Sequence, residues 1–122
     1  MMPVDKPTGL RRLWLALGYS LKGLRSAFRY EAAFRQEVLL LLLAVPLAFL
    51  VAQTGLQVVL LIGVVLLVLV VELLNSAIEN VVDRLGEEFH PLAGRAKDQG
   101  SAAVLVALVL AGLVWFAVVV LY

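Results

Sequence analysis

Two carboxylates and a side-chain amide share one face of an otherwise strongly apolar segment. Glu72, Asn75 and Glu79 follow an uncharged run, 58–71, and their helical spacing puts them on one side of an α-helix. Asp83 lies near the same face, about one turn further along. At about 1.5 Å per residue, Glu79 lies roughly 10 Å beyond Glu72 along the axis. A polar stripe that runs from the membrane interior toward water can hold cations or move protons.

Acidic residues inside a membrane span require an explanation. An acidic residue at the centre of a span costs roughly 2.5–3.5 kcal/mol on insertion scales, and less near an end. The structural alternative is solvation at the interface together with polar packing between helices. Because Glu72 and Glu79 share their stripe with an amide, we favour a functional site at the boundary between membrane and cytoplasm.

The segment after this helix carries charges of both signs. It reads GEEFHPLAGRAKDQGS over residues 86–101. Arg95, Lys97 and Asp98 are expected at the same depth as Glu79. Carboxylates for a divalent ion beside cations for phosphate are the combination that phosphoryl transfer requires, because its catalysis is mostly positioning and charge neutralisation.

Simpler explanations remain open for several of these residues. Glu87 and Glu88 can be solvated loop charges, and Lys97 can be a positive flank of a span. Asp98 is expected to cap the N-terminus of the third span. His90 has no second ligand at zinc-binding spacing, so a zinc site is not expected. The sequence contains no cysteine, which excludes disulfides and thiolate metal sites.

Composition indicates how these residues are positioned. Hydrophobic residues make up 63% of the 122-residue chain, which predicts an all-α integral-membrane protein with a single domain over 1–122. The three apolar segments predict spans at about 33–52, 57–84 and 98–121, each at least as long as the roughly 20 residues that a crossing needs. A net charge of +1 gives no field for nucleic acid, so no nucleic-acid partner is expected.

The N-terminal segment, about 8–30, predicts a different kind of helix. Its apolar residues recur at three- and four-residue steps, and most of its basic residues lie off that stripe. The stripe consists of Leu10, Leu13, Trp14, Leu17, Leu21, Leu24 and Phe28. This pattern is typical of an amphipathic helix in the membrane interface. Periodicity alone favours a simple anchor over a helix that covers a substrate.

The distribution of basic residues predicts the topology. All ten lysines and arginines lie either before the first apolar run, which begins near Val38, or between the second and third runs. Arg35 and Arg84 stand at the N-terminal end of the first predicted span and the C-terminal end of the second. The turn at Gln53–Gly55 and the C-terminal segment have none. The positive-inside rule therefore predicts a cytoplasmic N-terminus and a C-terminus on the outer, periplasmic side.

Four stretches together resemble a known family over nearly the whole chain. They are GYSLKGLRSAF (18–28), EAAFRQE (31–37), VELLNSAIENVVDR (71–84) and EFHPLAGRAKDQGSAAVL (88–105). The sequence lacks a GxxxxGK[ST] loop and the motifs of soluble protein kinases. It resembles the small, integral-membrane prokaryotic diacylglycerol kinases. The resemblance implies a homotrimer in the bacterial cytoplasmic membrane, with active sites shared between protomers, that uses MgATP to phosphorylate diacylglycerol and form phosphatidic acid.

The resemblance also implies roles for individual residues. Glu72 matches the general base, Asn75 would orient it, and Glu31 and Glu79 match the Mg²⁺ ligands. Nucleotide-contacting positions are Arg12, Tyr19, Glu31, Glu79, Glu88, His90, Lys97 and Asp98. Positions near the lipid substrate are Arg12, Arg25, Arg35, Gln36, Glu37, Glu72 and Ser101.

Three alternatives stay open on sequence grounds. Related enzymes phosphorylate undecaprenol with the same core motif, although the 18–28 and 94–104 stretches are closer to the diacylglycerol type. A small proton-coupled transporter also needs a glutamate in a span, but it leaves the cations at 95–97 unexplained. A purely structural subunit needs no stripe of two acids and an amide.

Overall fold

The computed structural model describes residues 8–85 and 90–122, and this part of the chain is helical with no β-strand. The helices in order are α1 (Gly9–Tyr30), α2 (Ala32–Val51), α3 (Gly55–Arg84) and α4 (Pro91–Phe116), which continues as a π-helical turn, Ala117–Leu121. The expected all-α fold is confirmed.

Three of these helices are long and apolar enough to cross a membrane: α2, α3, and α4 with its π-helical turn. Most of their large apolar side chains are exposed, which suits contact with lipid or with neighbouring membrane helices. The protein is therefore a multi-pass membrane protein. With 30 residues, α3 is about 45 Å long, well beyond the roughly 30 Å of hydrocarbon. Its polar C-terminal turns can therefore emerge from the bilayer.

A tight turn joins α2 to α3 and makes them an antiparallel hairpin. Thr54 is the N-cap of α3, and its Oγ1 accepts a hydrogen bond from the Gln57 backbone N–H at 3.2 Å. Gln57 Oε1 in turn accepts from the Gln53 backbone N–H at 2.7 Å. This reciprocal arrangement resembles a capping box and uses N–H groups that the helix start leaves free.

The start of α4 differs from the expectation that Asp98 caps the third span. That expectation was wrong, because α4 begins at Pro91 and Asp98 lies exposed inside the helix. His90 is the N-cap, and its Nδ1 accepts from the Leu92 backbone N–H at 3.1 Å. Proline suits the first helical position because its missing N–H would have no partner there.

The core lies along α3, which packs against α2 on one side and α4 on the other. Val68 is fully buried against two alanines of α4, Ala107 and Ala111. Small residues let membrane helices approach closely. Nearer the α2–α3 turn, Trp115 Nε1 donates to the Leu61 carbonyl at 3.1 Å. These contacts fix the depth of α4 relative to α3.

A sharp break at Glu31 separates α1 from α2. Glu31 has an extended backbone, with φ −111° and ψ 107°, and ends α1 while starting α2. Arg35 Nη1 donates to the carbonyls of Phe28 and Arg29 at 2.9 and 3.0 Å. Arg35 thereby satisfies carbonyls that the end of α1 leaves without helical partners. Only Ala27 of α1 is buried, and its apolar stripe remains exposed.

Candidate active site

Asn75 connects two carboxylates near the polar end of α3. Its Nδ2 donates to Glu79 Oε1 at 3.0 Å and lies 3.4 Å from Glu72 Oε2, a weaker hydrogen bond. Glu72 is 5% exposed and Asn75 is 9% exposed, while Glu79 is half-buried. Carboxylates only accept hydrogen bonds, so the amide nitrogen must face them. The predicted stripe of Glu72, Asn75 and Glu79 is a connected group in the structure.

Two further carboxylates approach this group from outside α3. Glu37 of α2 is buried, and its Oε2 has no hydrogen-bond partner among residues 8–85 and 90–122. Its charge interacts with that of Glu72. Glu31, at the break between α1 and α2, also lies within electrostatic range of Glu72. Glu31, Glu37 and Glu79 therefore each lie close enough to Glu72 for their charges to interact with its charge. Such a concentration of negative charge favours a bound cation or a shared proton.

A cleft between α1 and α3 opens beside this group and has a volume of about 600 Å³. It is lined by Ser20, Gly23, Leu24, Ser26, Ala27, Tyr30 and Glu31 from the α1 side and by Leu73, Ser76, Ala77 and Asn80 from α3. Glu31 thus belongs both to the cleft and to the carboxylate group. A molecule in this cleft would lie between α1 and the side of α3 that carries Ser76 and Asn80, next to the row of Glu72, Asn75 and Glu79.

Sequence reasoning missed the two polar residues of α3 in this cleft, Ser76 and Asn80. Ser76 is buried and Asn80 is exposed. They follow Glu72 at four-residue steps and so form a second polar row beside the first. That spacing was a visible signal, and it would have predicted that α3 is polar toward α1 as well as along the stripe of Glu72, Asn75 and Glu79.

The predicted nucleotide-binding residues of α4 lie along its exposed N-terminal turns. Lys97 Nζ forms an ion pair with Asp83 Oδ1 at 3.0 Å, which ties α4 to the end of α3. Asp98 and Ser101 are exposed, and His90 is occupied in capping. Glu88 falls outside the described residues.

Other predicted residues are not brought together with the carboxylates. Arg12, Tyr19 and Arg25 are exposed on α1 and are not among the residues that line the cleft. Lys22 Nζ lies 5.9 Å from the centre of the Tyr19 ring, close enough for a weak cation–π contact. Gln36 is exposed on α2. Arg35 has a structural contact with α1, which is a role that sequence reasoning did not anticipate.

The carboxylate oxygens near Glu72 can be compared with the ligands that a metal ion requires. Among residues 8–85 and 90–122, no three His, Asp or Glu side chains gather closely enough to form a ligand group of their own. Glu31 and Glu79 are both partly exposed and both carry hard oxygen donors. Magnesium is commonly held by one or two carboxylates together with substrate phosphates and water. The residues therefore fit a magnesium ion that arrives with a nucleotide.

Comparison with known proteins agrees with this chemistry. A family model described as prokaryotic diacylglycerol kinase matches residues 18–119. The chain is 56% identical over 111 residues to the diacylglycerol kinase of Escherichia coli K12, covering 91% of each protein. It is 54% identical over 110 residues to that of Haemophilus influenzae, covering 90% of this chain and 93% of the relative. It is 53% identical over 113 residues to that of Pseudomonas aeruginosa, covering 93% and 92%.

Proposed function

Because the chain belongs to the prokaryotic diacylglycerol kinase family, we propose that it transfers the γ-phosphate of ATP to the hydroxyl of diacylglycerol, forming phosphatidic acid. The observation that carries the proposal is the Asn75 amide between Glu72 and Glu79. It joins a buried carboxylate suited to a lipid alcohol with a half-exposed carboxylate suited to a metal–nucleotide complex.

Glu72 is the proposed general base. Its carboxylate takes the proton from the lipid hydroxyl as that oxygen attacks the γ-phosphorus, and the bond from phosphorus to the ADP oxygen breaks. Asn75 donates a weak hydrogen bond to Oε2, which leaves Oε1 free to face the lipid hydroxyl. Burial of Glu72 keeps competing water away from the base. Asn75 also keeps Glu72 at a fixed distance from Glu79.

Glu31 and Glu79 are the proposed ligands of Mg²⁺. When bound, the ion would neutralise negative charge on the transferring phosphoryl group. The two side chains come from different elements, the α1–α2 break and α3. Binding between them would hold the surface helix close to α3, over the cleft of about 600 Å³.

The remaining proposed contacts follow the resemblance. Lys97 and Arg12 supply positive charge to the nucleotide phosphates. The other proposed nucleotide contacts are Tyr19, Glu88, His90 and Asp98, and the other proposed lipid contacts are Arg25, Arg35, Gln36, Glu37 and Ser101.

We further propose a homotrimer with active sites shared between protomers. One observation in support is that α2, α3 and α4 expose apolar faces over most of their length. The distribution of lysine and arginine supports an N-terminus in the cytoplasm and a C-terminus outside it. In that orientation α1 and the polar end of α3 face the cytoplasmic supply of ATP.

A reconstituted assay tests this function. Purified protein in mixed micelles with MgATP and a short-chain diacylglycerol should produce phosphatidic acid. Glu72→Gln keeps the shape of the side chain but removes the base, and should lower kcat by about 10²–10⁴-fold while the protein remains folded. Unchanged turnover in this variant would refute the assignment of Glu72.

Undecaprenol, offered in parallel, tests the lipid acceptor. Diacylglycerol should be phosphorylated faster, and a preference for undecaprenol would move the chain to the other acceptor type. A proton-coupled transporter would form no phosphorylated lipid in either assay. Proton flux into protein-containing vesicles, with no phosphorylated product, would therefore overturn the kinase proposal.

A further inference from the structure

Gly100 of α4 lies against the side chain that connects the two glutamates of α3. A β-carbon added to Gly100 would collide with Asn75 Oδ1, and it would lie 3.3 Å from Asn75 Cγ and 3.7 Å from Ile78 Cδ1. Gly100 is buried where α4 meets α3. Glycine is the least favourable residue in a helix interior apart from proline, so a need for space explains its presence inside α4.

Two other glycines of the spanning helices, Gly63 and Gly112, do not face this constraint. A β-carbon on Gly112, also in α4, would meet no atom within 4 Å, and the same holds for Gly63 in α3. Gly112 therefore offers a matched control, because an alanine there changes the same helix in the same chemical way. The steric requirement at Gly100 comes from Asn75 and not from helix packing in general.

Asn75 cannot move aside without loss. Its Nδ2 is engaged with both glutamates, and the residue is buried. Reversing the amide would point Oδ1 at two carboxylates, which accept hydrogen bonds and do not donate them. Its Oδ1 has no hydrogen-bond partner among the described residues, so space beside Gly100 rather than a bond accommodates this atom. Any displacement of the amide therefore changes its contacts with Glu72 and Glu79.

We propose that Gly100 is a positioning residue for phosphoryl transfer: by lacking a side chain, it lets α4 approach α3 while the Asn75 amide stays between Glu72 and Glu79. This role rests on the proposed kinase function. Gly100 touches no substrate in this scheme and acts through Asn75 alone.

Gly100→Ala and Gly112→Ala, assayed side by side, test the proposal. Gly100→Ala should lower kcat by about 10- to 100-fold, because a misplacement of ~1 Å can cost that much. The KM for diacylglycerol should change little. Gly112→Ala should stay within about twofold of the unaltered protein in both parameters. A kcat for Gly100→Ala within that same range would overturn the proposal.

A second measurement does not depend on activity. The side-chain amide signal of Asn75 in a ¹⁵N–¹H spectrum is identified by its loss in Asn75→Ala. Gly100→Ala should shift this signal, and Gly112→Ala should leave it in place. An unmoved signal in Gly100→Ala would contradict the steric link. If the unaltered protein phosphorylates no lipid, the proposed function fails, while this signal still decides whether Gly100 controls Asn75.

A double variant covers the case in which Gly100→Ala does not fold. Asn75→Ala removes the oxygen that the new β-carbon would meet, so Gly100→Ala should be tolerated in that background. Recovery of the folded protein in the double variant supports the proposed contact. Failure of the double variant to fold, when Asn75→Ala alone folds, would show that another neighbour imposes the glycine and would overturn the proposal.

Discussion

Asn75 Nδ2 lies 3.0 Å from Glu79 Oε1, one turn further along α3. The same nitrogen is 3.4 Å from Glu72 Oε2, one turn in the other direction. A side-chain amide carries two N–H donors, so a single nitrogen can serve both carboxylates. One residue therefore holds both the proposed base and the proposed metal ligand in position, although these two glutamates belong to different turns of the helix.

Asn75→Asp should remove this link. The substitution preserves shape but replaces the donor with an acceptor, so three carboxylates repel one another within two turns of α3. We expect kcat for phosphatidic acid formation to fall by about 100-fold, because both glutamates lose their fixed positions. The measurement is initial rate against diacylglycerol and MgATP in mixed micelles.

Gln57→Glu is the control for that variant. It makes the same change from amide to acid on the same helix, but at the α2–α3 turn. Gln57 accepts a hydrogen bond from the Gln53 backbone N–H at 2.7 Å, and a carboxylate can accept it equally well. Turnover should be unaffected. An equal loss of turnover in Gln57→Glu and Asn75→Asp would mean that an added negative charge in α3 lowers activity wherever it lies.

Magnesium dependence should separate the roles of the glutamates. Glu31→Gln and Glu79→Gln each remove a proposed ligand, so the Mg²⁺ concentration for half-maximal rate should rise about tenfold or more. Glu72→Gln should lower kcat and leave that concentration nearly unchanged, because the proposed partner of Glu72 is the lipid hydroxyl and not the metal ion. Titrating Mg²⁺ at a fixed ATP concentration measures the Mg²⁺ concentration for half-maximal rate in each variant. Identical Mg²⁺ profiles for all three variants would contradict the division of labour.

Periodicity was enough to predict the polar face of α3. The spacing of Glu72, Asn75 and Glu79 fixes their common side in any α-helix, whatever surrounds it. The all-α membrane fold followed for a similar reason, since long apolar runs have few alternatives in a bilayer. Such features depend on residues close in sequence, and sequence alone contains that information.

Features that depend on contacts between helices could not be read in the same way. The approach of Glu31 to Glu72 results from the backbone break between α1 and α2. The need for a glycine at position 100 depends on how closely α4 approaches Asn75. The start of α4 at Pro91 was misjudged for a different reason: its first turns are polar, so the apolar run beginning near residue 102 suggested a later start. Proline after a capping residue was the local signal that was overlooked.

The Lys97–Asp83 ion pair raises a final question, namely whether Lys97 serves packing or nucleotide binding. The Lys97 and Asp83 side chains are 45% and 63% exposed, and ion pairs this open contribute little to stability. Asp83→Asn breaks the pair, and because the pair is exposed, the thermal unfolding midpoint should change little. Lys97 stays charged in this variant, so the KM for MgATP should also change little. Lys97→Gln breaks the same pair and also removes the charge proposed to bind the nucleotide phosphates, so the KM for MgATP should rise about tenfold. Similar increases in KM for both variants would show that Lys97 acts by joining α4 to α3.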